Sequence, residues 1–234
     1  MSLRTFIIGL VSSFGIAWLA VVVIPFFKMR NLEPVVHAEG TEQAGQVFHP
    51  KRTGRIATGA EIYAANGCYL CHTQLVRPTT AGNDMFRDDW GGLANDEDRG
   101  DTRRESNAWD YLGEDYAHIG VTRMGPDLSN FGRRLEANYL EEGQRAEAWI
   151  YAHLYRPYSR PDLRIGRATC PPQPFLFDKV PTRGQLKQEA LDVETCDGYQ
   201  ILPGPEVKAL ASYLMSLKKD QEVPAQLDFS SGQK

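Results

Sequence analysis

The longest apolar stretch of the chain lies at its N-terminus. Residues 6–27 contain no charged side chain, and a helix of this length spans roughly 33 Å, enough to cross the hydrocarbon core of a membrane. The stretch is longer than the apolar part of a cleaved signal peptide, and residues 25–28 make a poor cleavage site. We therefore predict an uncleaved membrane anchor over residues 1–30, with a cleaved signal sequence as the alternative.

Two helices are predicted near the two ends of the remaining chain. Residues 31–57 show no period and are interpreted as a linker. Thr58 and Glu61 have the spacing of a capping box, which predicts a short helix beginning at Thr58. At the other end, Pro205 suits the first position of a helix that runs to Lys219. Its apolar residues recur at helical spacing: Val207, Leu210, Ala211, Leu214 and Leu217.

The pattern between these two helices is weaker. One further helix is predicted over residues 139–155, because apolar positions recur there and Pro157 stops the pattern. Residues 79–122 form a polar, acidic, glycine-rich insertion, residues 156–204 are proline-rich and irregular, and residues 220–234 form a polar tail. The elements together predict a mainly α protein with long irregular insertions.

The charge of the chain is concentrated in one stretch. The 234 residues carry a net charge of −4, while residues 84–115 alone hold eleven acidic residues and four arginines, a net charge of −7. Such a surface excludes nucleic acid as an expected partner. We expect this stretch to contact another protein, attracting a basic partner at long range, rather than to pack into the domain. A merely solvated loop is the alternative.

The motif that carries chemistry is Cys68-Tyr69-Leu70-Cys71-His72. Two thiols three positions apart, with a histidine directly after the second, form a c-type haem attachment pattern. On one helical turn the thiols share a face, so each can bond a different haem vinyl group, and His72 can bind the iron. A redox dithiol needs no histidine here, and a zinc site would need two more ligands with matched spacing. We therefore expect one covalently bound haem c in a domain translocated out of the cytoplasm.

The order of these elements resembles that of class I cytochromes c. Four segments extend the resemblance: CHTQLVRP at 71–78, GPDL at 125–128, AHLYRP at 152–157 and PPQPFLF at 171–177. With the anchor, they resemble the monohaem subunit (subunit II) of cbb3-type cytochrome c oxidases. The resemblance covers most of the chain from the anchor to the last helix, and the acidic insertion and the tail lie outside it.

The resemblance implies a class I cytochrome c-like domain over residues 58–219 and a function in electron transfer. The haem would pass electrons to the haem–copper catalytic subunit of an oxidase that reduces oxygen in aerobic respiration, and the chain would have no catalytic site of its own. The implied partners are that subunit, a further cytochrome c subunit and an electron donor protein. The implied location is the bacterial inner membrane, crossed once, with the haem domain facing the periplasm.

Three other functions remain open from the sequence. The monohaem subunit of a nitric-oxide reductase has the same plan of anchor and haem. A haem enzyme or gas sensor would have an open iron site, and a free membrane-tethered shuttle would have no obligate partner. Ligand binding to the reduced haem and co-purification of a catalytic subunit distinguish these functions.

The cytochrome c pattern also implies roles for two residues near the haem. The carbonyl of Pro126 would accept the second ring N–H of His72, which fixes the tautomer of the imidazole. The guanidinium of Arg77 would meet a haem propionate, since its fork suits a carboxylate. A solvated surface position is the alternative for Arg77.

The sixth iron ligand is where the chain departs from the family it resembles. Members supply a methionine from the segment matching residues 168–172, where this chain has Cys170. Cys170 can bind iron as a thiolate or pair with Cys196, and we favour the disulfide because spare thiols in an oxidising compartment usually become bonded. The iron would then take Met124, His118 or no sixth ligand. We choose Met124, with Cys170 as the alternative.

Overall fold

The computed structural model describes residues 2–30, 34–37, 44–87, 89–139, 145–157, 170–193, 198–224 and 227. The chain divides into two compact units, Met1–Phe48 and His49–Lys234. We describe each unit in turn.

The first unit begins with one long apolar helix. It consists of α1 (Leu3–Trp18), a π-helical segment (Leu19–Val23) and α2 (Ile24–Met29). The widened segment ends two residues before Pro25, whose ring nitrogen has no hydrogen to donate to the turn before it. The 26 residues Leu3–Lys28 are long and apolar enough to cross a membrane. The prediction of an N-terminal helix long and apolar enough to cross a membrane is confirmed.

The predicted linker contains local structure within the first unit. Val36 and Val47 form an isolated antiparallel bridge. The amide of His37 donates to the carbonyl of Gln46 over 2.9 Å, and the ring of His37 meets that of Phe48 edge to face. The described residues of this part of the chain are therefore paired with one another rather than forming a featureless connection.

Two helices from opposite ends of the second unit form its centre. They are α3 (Gly54–Ala65) and α6 (Pro205–Met215). Tyr63 of α3 and Tyr213 of α6 are fully buried, with ring centroids 5.5 Å apart. Because α3 leads directly into the Cys68 motif, this helix pair fixes the position of that motif.

Both helices differ from the prediction in their bounds. α3 begins at Gly54, so Thr58 lies inside the helix, where its hydroxyl donates to the Gly54 carbonyl. The capping box predicted at Thr58 is therefore wrong. α6 ends at Met215, and Lys219 is buried at 3% exposure instead of lying in a last helical turn. The sequence pattern missed this because buried lysines are rare.

The remaining elements surround the helix pair. α4 (Phe131–Arg134) continues into a π-helical segment (Leu135–Tyr139), and α5 (Ala146–Tyr155) covers part of the helix predicted over 139–155. β1 (Phe177–Pro181) pairs antiparallel with β2 (Tyr199–Pro203) inside the stretch predicted to be irregular. Helices thus dominate the part of the chain that the structure describes, with two short strands beside them.

The acidic stretch 84–115 packs into the second unit, so the expectation that it stays outside the domain is wrong. Asp84 and Asp110 are at most 1% exposed, and Trp90 is 7% exposed. The side-chain amide of Asn130 donates to the carbonyl of Trp90 over 2.9 Å, which fastens the stretch to the region of α4.

Arginine and lysine residues neutralise the buried carboxylates of this stretch, and most of these partners lie elsewhere in the chain. A count of charges within residues 84–115 misses those partners. The resulting ion pairs are Arg77–Asp84, Arg123–Asp84, Arg104–Asp110, Arg52–Glu114 and Lys219–Glu114. The predicted tail contributes as well, since Asp220 is buried and pairs with Arg99 and Arg133.

Candidate functional site

The Cys68 motif follows α3 after one tight turn. Gly67 has a φ of +68°, a left-handed conformation that glycine adopts without steric cost. Residues Cys68–Leu70 form a 3-10 turn, and the amides of Cys71 and His72 both donate to the Cys68 carbonyl, over 3.2 and 3.0 Å. With three residues per turn, Cys68 and Cys71 lie on the same side of the chain. Both thiols are half-buried and free.

The imidazole of His72 is held by the Gly-Pro turn. Its Nδ1 lies 2.9 Å from the carbonyl oxygen of Pro126. A carbonyl oxygen only accepts, so Nδ1 carries the proton and Nε2 keeps its lone pair. Burial lowers the pKa of His72, which favours the neutral ring that a metal requires. The contact implied for Pro126 by the cytochrome c pattern is therefore present.

Gly125 allows the close approach of this turn to the imidazole. A Cβ atom at Gly125 would lie 2.2 Å from Cε1 of His72, so no larger residue fits without moving the ring. The Gly125 amide donates to the Cys71 carbonyl over 2.9 Å, and the Leu128 amide donates to the Thr73 carbonyl over 2.8 Å. The two segments therefore run side by side on either side of the His72–Pro126 contact.

A buried carboxylate cross-links the same two segments. Asp127 has no exposed surface. Its Oδ2 accepts from the hydroxyl of Thr73 over 2.6 Å and from the amide of Leu75 over 2.8 Å, while Oδ1 accepts from the amide of Ser129 over 2.8 Å. Sequence reasoning assigned no role to Asp127, although it lies in the GPDL segment.

A buried guanidinium lies behind the turn. Arg134 of α4 is 2% exposed and stands over the ring of Phe131 at 5.6 Å. Its Nη2 donates to the backbone carbonyl of Asp127 over 2.9 Å. No sequence signal distinguishes Arg134 from a surface arginine, because its partner is a backbone carbonyl.

Arg77 has a side-chain partner and Met124 lies at the surface, and their roles at the haem stay predictions. The guanidinium of Arg77 makes a two-point contact with Asp84, with Nε at 3.0 Å and Nη2 at 2.9 Å. A propionate would have to displace Asp84 from this fork. Met124 precedes Gly125, beside the imidazole, and its side chain is 64% exposed.

Cys170 lies near the attachment cysteines. Burial first, and then the neighbouring Cys170 thiol, raise the pKa of Cys68 to about 12, and burial and Cys71 raise the pKa of Cys170. Cys196 lies outside the described residues, so its disulfide with Cys170 stays a prediction.

His118, the remaining candidate ligand, belongs to an aromatic cluster. Its ring lies 5.4 Å from that of Tyr63 and 6.1 Å from that of Tyr213, measured between centroids. Burial lowers the pKa of His118. These contacts place His118 against the α3–α6 pair and show no contact with His72.

The residues of the motif fit a covalent haem. Two free thiols share one side of the chain, and one neutral imidazole has an unprotonated nitrogen. In the part of the chain that the structure describes, no cluster of three or more His, Cys, Asp or Glu side chains is arranged to hold a metal ion by itself. No family model matches this chain, and no curated protein matches it.

Proposed function

We propose that the protein is a membrane-anchored monohaem c-type cytochrome that delivers electrons to the haem–copper catalytic subunit of a terminal oxidase. The observation that carries the proposal is the hydrogen bond from His72 Nδ1 to the Pro126 carbonyl, beside the free thiols of Cys68 and Cys71. This arrangement leaves Nε2 ready for an iron ligand bond. The apolar helix over Leu3–Lys28 would tether the protein to the bacterial inner membrane, with the second unit in the periplasm.

Each residue of the site would have a separate task in holding one haem c. Cys68 and Cys71 would form the two thioether bonds, and His72 would bind the iron as a neutral ring. Pro126 fixes the tautomer of that ring, and Gly125 lets the turn reach it. The bound haem would supply one-electron exchange. A ligand held this rigidly favours electron transfer, since the surroundings of the iron then change little between its two oxidation states.

Haem attachment is tested first. The protein is produced in a bacterium with the c-type maturation system, and covalent haem is followed by haem staining of denaturing gels and by the pyridine haemochrome spectrum. We expect a positive stain for the wild type and a pyridine haemochrome spectrum of at most one thioether bond for Cys68→Ala. For His72→Ala we expect the low-spin absorption spectrum of the protein without pyridine to be lost. A wild-type protein without covalent haem would overturn the proposed function.

The partner and the sixth ligand are tested on the purified full chain. We expect a haem–copper subunit that reduces oxygen to co-purify from native membranes, and carbon monoxide to bind the reduced haem poorly. Co-purification with a nitric-oxide-reducing subunit would favour the reductase instead. Ready binding of carbon monoxide would favour a sensor or enzyme, and a pure protein without a partner would favour a free shuttle.

The anchor is tested separately from the haem. Resistance to carbonate extraction and an intact mass that includes residues 1–30 are expected. A soluble product beginning after residue 30 would show that the helix is a cleaved signal.

A further inference from the structure

We propose that Asp127 and Arg134 set the reduction potential of the haem through opposite buried charges placed directly behind the His72–Pro126 contact. This inference rests on the proposed haem function and deepens it. The two residues lie outside the attachment motif, so they would act through the imidazole and its turn.

The first step of the argument is geometric. The Asp127 carboxylate holds both segments that meet at the iron ligand: Thr73 and Leu75 on the His72 side, and Ser129 on the Pro126 side. Asp127 directly follows Pro126, whose carbonyl accepts from His72. The carboxylate is therefore joined to the imidazole through two short backbone connections, and it cannot move without moving the turn.

Arg134 approaches the same turn from the other side. Its Nη2 donates to the Asp127 carbonyl over 2.9 Å, one peptide unit beyond the carbonyl that holds His72. This contact is made to the backbone of Asp127. The Asp127 carboxylate has three donors of its own. A negative and a positive side chain thus stand at fixed places around one ligand.

The burial of both groups strengthens the electrostatic effect of their charges on the imidazole. Asp127 is 0% and Arg134 is 2% exposed. Charges in such surroundings interact about four times more strongly at an effective dielectric constant of 20 than they do in water. Both charges are therefore screened little by water at the turn that holds His72.

The sign of each effect on the haem follows from the charge of the iron. The oxidised haem carries one more positive charge than the reduced haem, so a nearby carboxylate stabilises the oxidised form and lowers the potential. A nearby guanidinium destabilises the oxidised form and raises the potential. Hydrogen bonding and burial around the axial ligand are recognised controls of haem potential.

The experiment compares single variants of the full-length protein carrying covalent haem. Asp127→Asn should raise the reduction potential, and Arg134→Gln should lower it, measured by spectroscopic redox titration at one pH. Arg134→Lys, which keeps the charge, should return the potential toward the wild-type value. Asp115→Asn removes the same charge as Asp127→Asn from a side chain that is 70% exposed, and should leave the potential nearly unchanged.

Opposite shifts separate this inference from a merely structural role. A loosened haem pocket would move both variants in the same direction, and that result would overturn the inference, as would two unmoved potentials. If Asp127→Asn does not retain haem, the two Arg134 variants decide alone. A potential lowered in Arg134→Gln and returned toward the wild-type value in Arg134→Lys supports the inference, and unmoved potentials overturn it. A wild-type protein without haem would instead overturn the proposed function itself.

Discussion

Gly59 and Ala209 bring helices α3 and α6 into backbone contact. A methyl group on Gly59 would lie 2.2 Å from the Ala209 carbonyl oxygen and 2.7 Å from Cβ of Tyr213. Neither atom belongs to the flexible end of a side chain, so the helices would have to separate. The position of the Cys68 motif, which follows α3, depends on this crossing.

Gly59→Ala is expected to destabilise the protein. Overpacking of this kind costs about 1–3 kcal/mol, and it opposes the gain of about 1 kcal/mol that alanine brings to a helix interior. Thermal unfolding of the second unit in detergent, followed by circular dichroism, measures the difference. Thr58→Ala is the matched control, because Thr58 is exposed on the same helix, and it should stay within about 0.5 kcal/mol of the wild type. A Gly59→Ala protein as stable as this control would contradict the close crossing.

Gly125→Ala is expected to remove His72 from the iron of the proposed haem. The added methyl would overlap the imidazole, since its position lies 2.2 Å from Cε1. The thioether bonds should still form, because the thiols are on the other segment, so haem staining persists while the low-spin spectrum is lost. Met124→Leu is the neighbouring control and also tests Met124 as sixth ligand. An unchanged spectrum in Met124→Leu would exclude that ligand, and an unchanged spectrum in Gly125→Ala would contradict the geometry of the turn.

Asp110 is expected to make stability depend on acid pH. Burial alone would raise the pKa of this carboxyl, but hydrogen bonds from His49, Arg104 and the backbone of Asn107 together lower it to about 2. A lowered pKa stabilises the folded state above the unfolded pKa of about 4, and this stabilisation of about 2 kcal/mol is lost as the pH falls toward 2. The difference in unfolding free energy between wild type and Asp110→Asn should therefore shrink from pH 5 to pH 2.

The control for this pH dependence is Asp115→Asn. Asp115 pairs with Lys51 at the surface, where both side chains are about 70% exposed, and such pairs contribute about 0–1 kcal/mol. This variant should unfold close to the wild type at both pH values. A difference between wild type and Asp110→Asn that stays constant from pH 5 to pH 2 would contradict the internal pairing of Asp110.

Asp220→Ala is expected to release the acidic stretch. The buried carboxylate pairs with Arg99 at 2.9 Å and Arg133 at 3.1 Å and accepts from the hydroxyl of Thr102. Removing one partner of a buried ion pair costs about 3 kcal/mol or more. Limited proteolysis should then cut within residues 93–103. Glu222→Ala, at an exposed position nearby, is the control. Equal protection from proteolysis in the two variants would contradict the role of Asp220 in holding the acidic stretch.

The attachment motif and its neighbours were accessible from the sequence because their chemistry is local. Two thiols and a histidine within five residues define a spacing, and the apolar run before Lys28 defines a length. The contact between His72 and Pro126 spans 54 residues, and it was expected only because the order of segments resembled a known family.

The remaining features depend on partners that are distant in the chain. Asp84 and Asp110 were interpreted as surface charges because a count of charges within residues 84–115 does not show their ion pairs. Asp84 pairs with the distant Arg123, and Asp110 pairs with Arg104 in a buried environment. Lys219 appeared as a helix-terminal cation, yet it is buried against Glu114 and the ring of Tyr111. The sequence pattern assigned no role to Asp127 or Arg134, since their side chains contact backbone groups, which a residue pattern does not show.

The link between Arg99 and Asp220 also restricts the order in which the protein can mature. The two residues are 121 positions apart, so a chain synthesised from its N-terminus presents residues 96–104 long before their partner exists. Helix α3 likewise cannot pack against α6 until α6 has been synthesised. The attachment motif at residues 68–72 is therefore translated into a chain that has no closed core around it. If the proposed haem is added during this interval, the last residues then close the protein over a cofactor already in place.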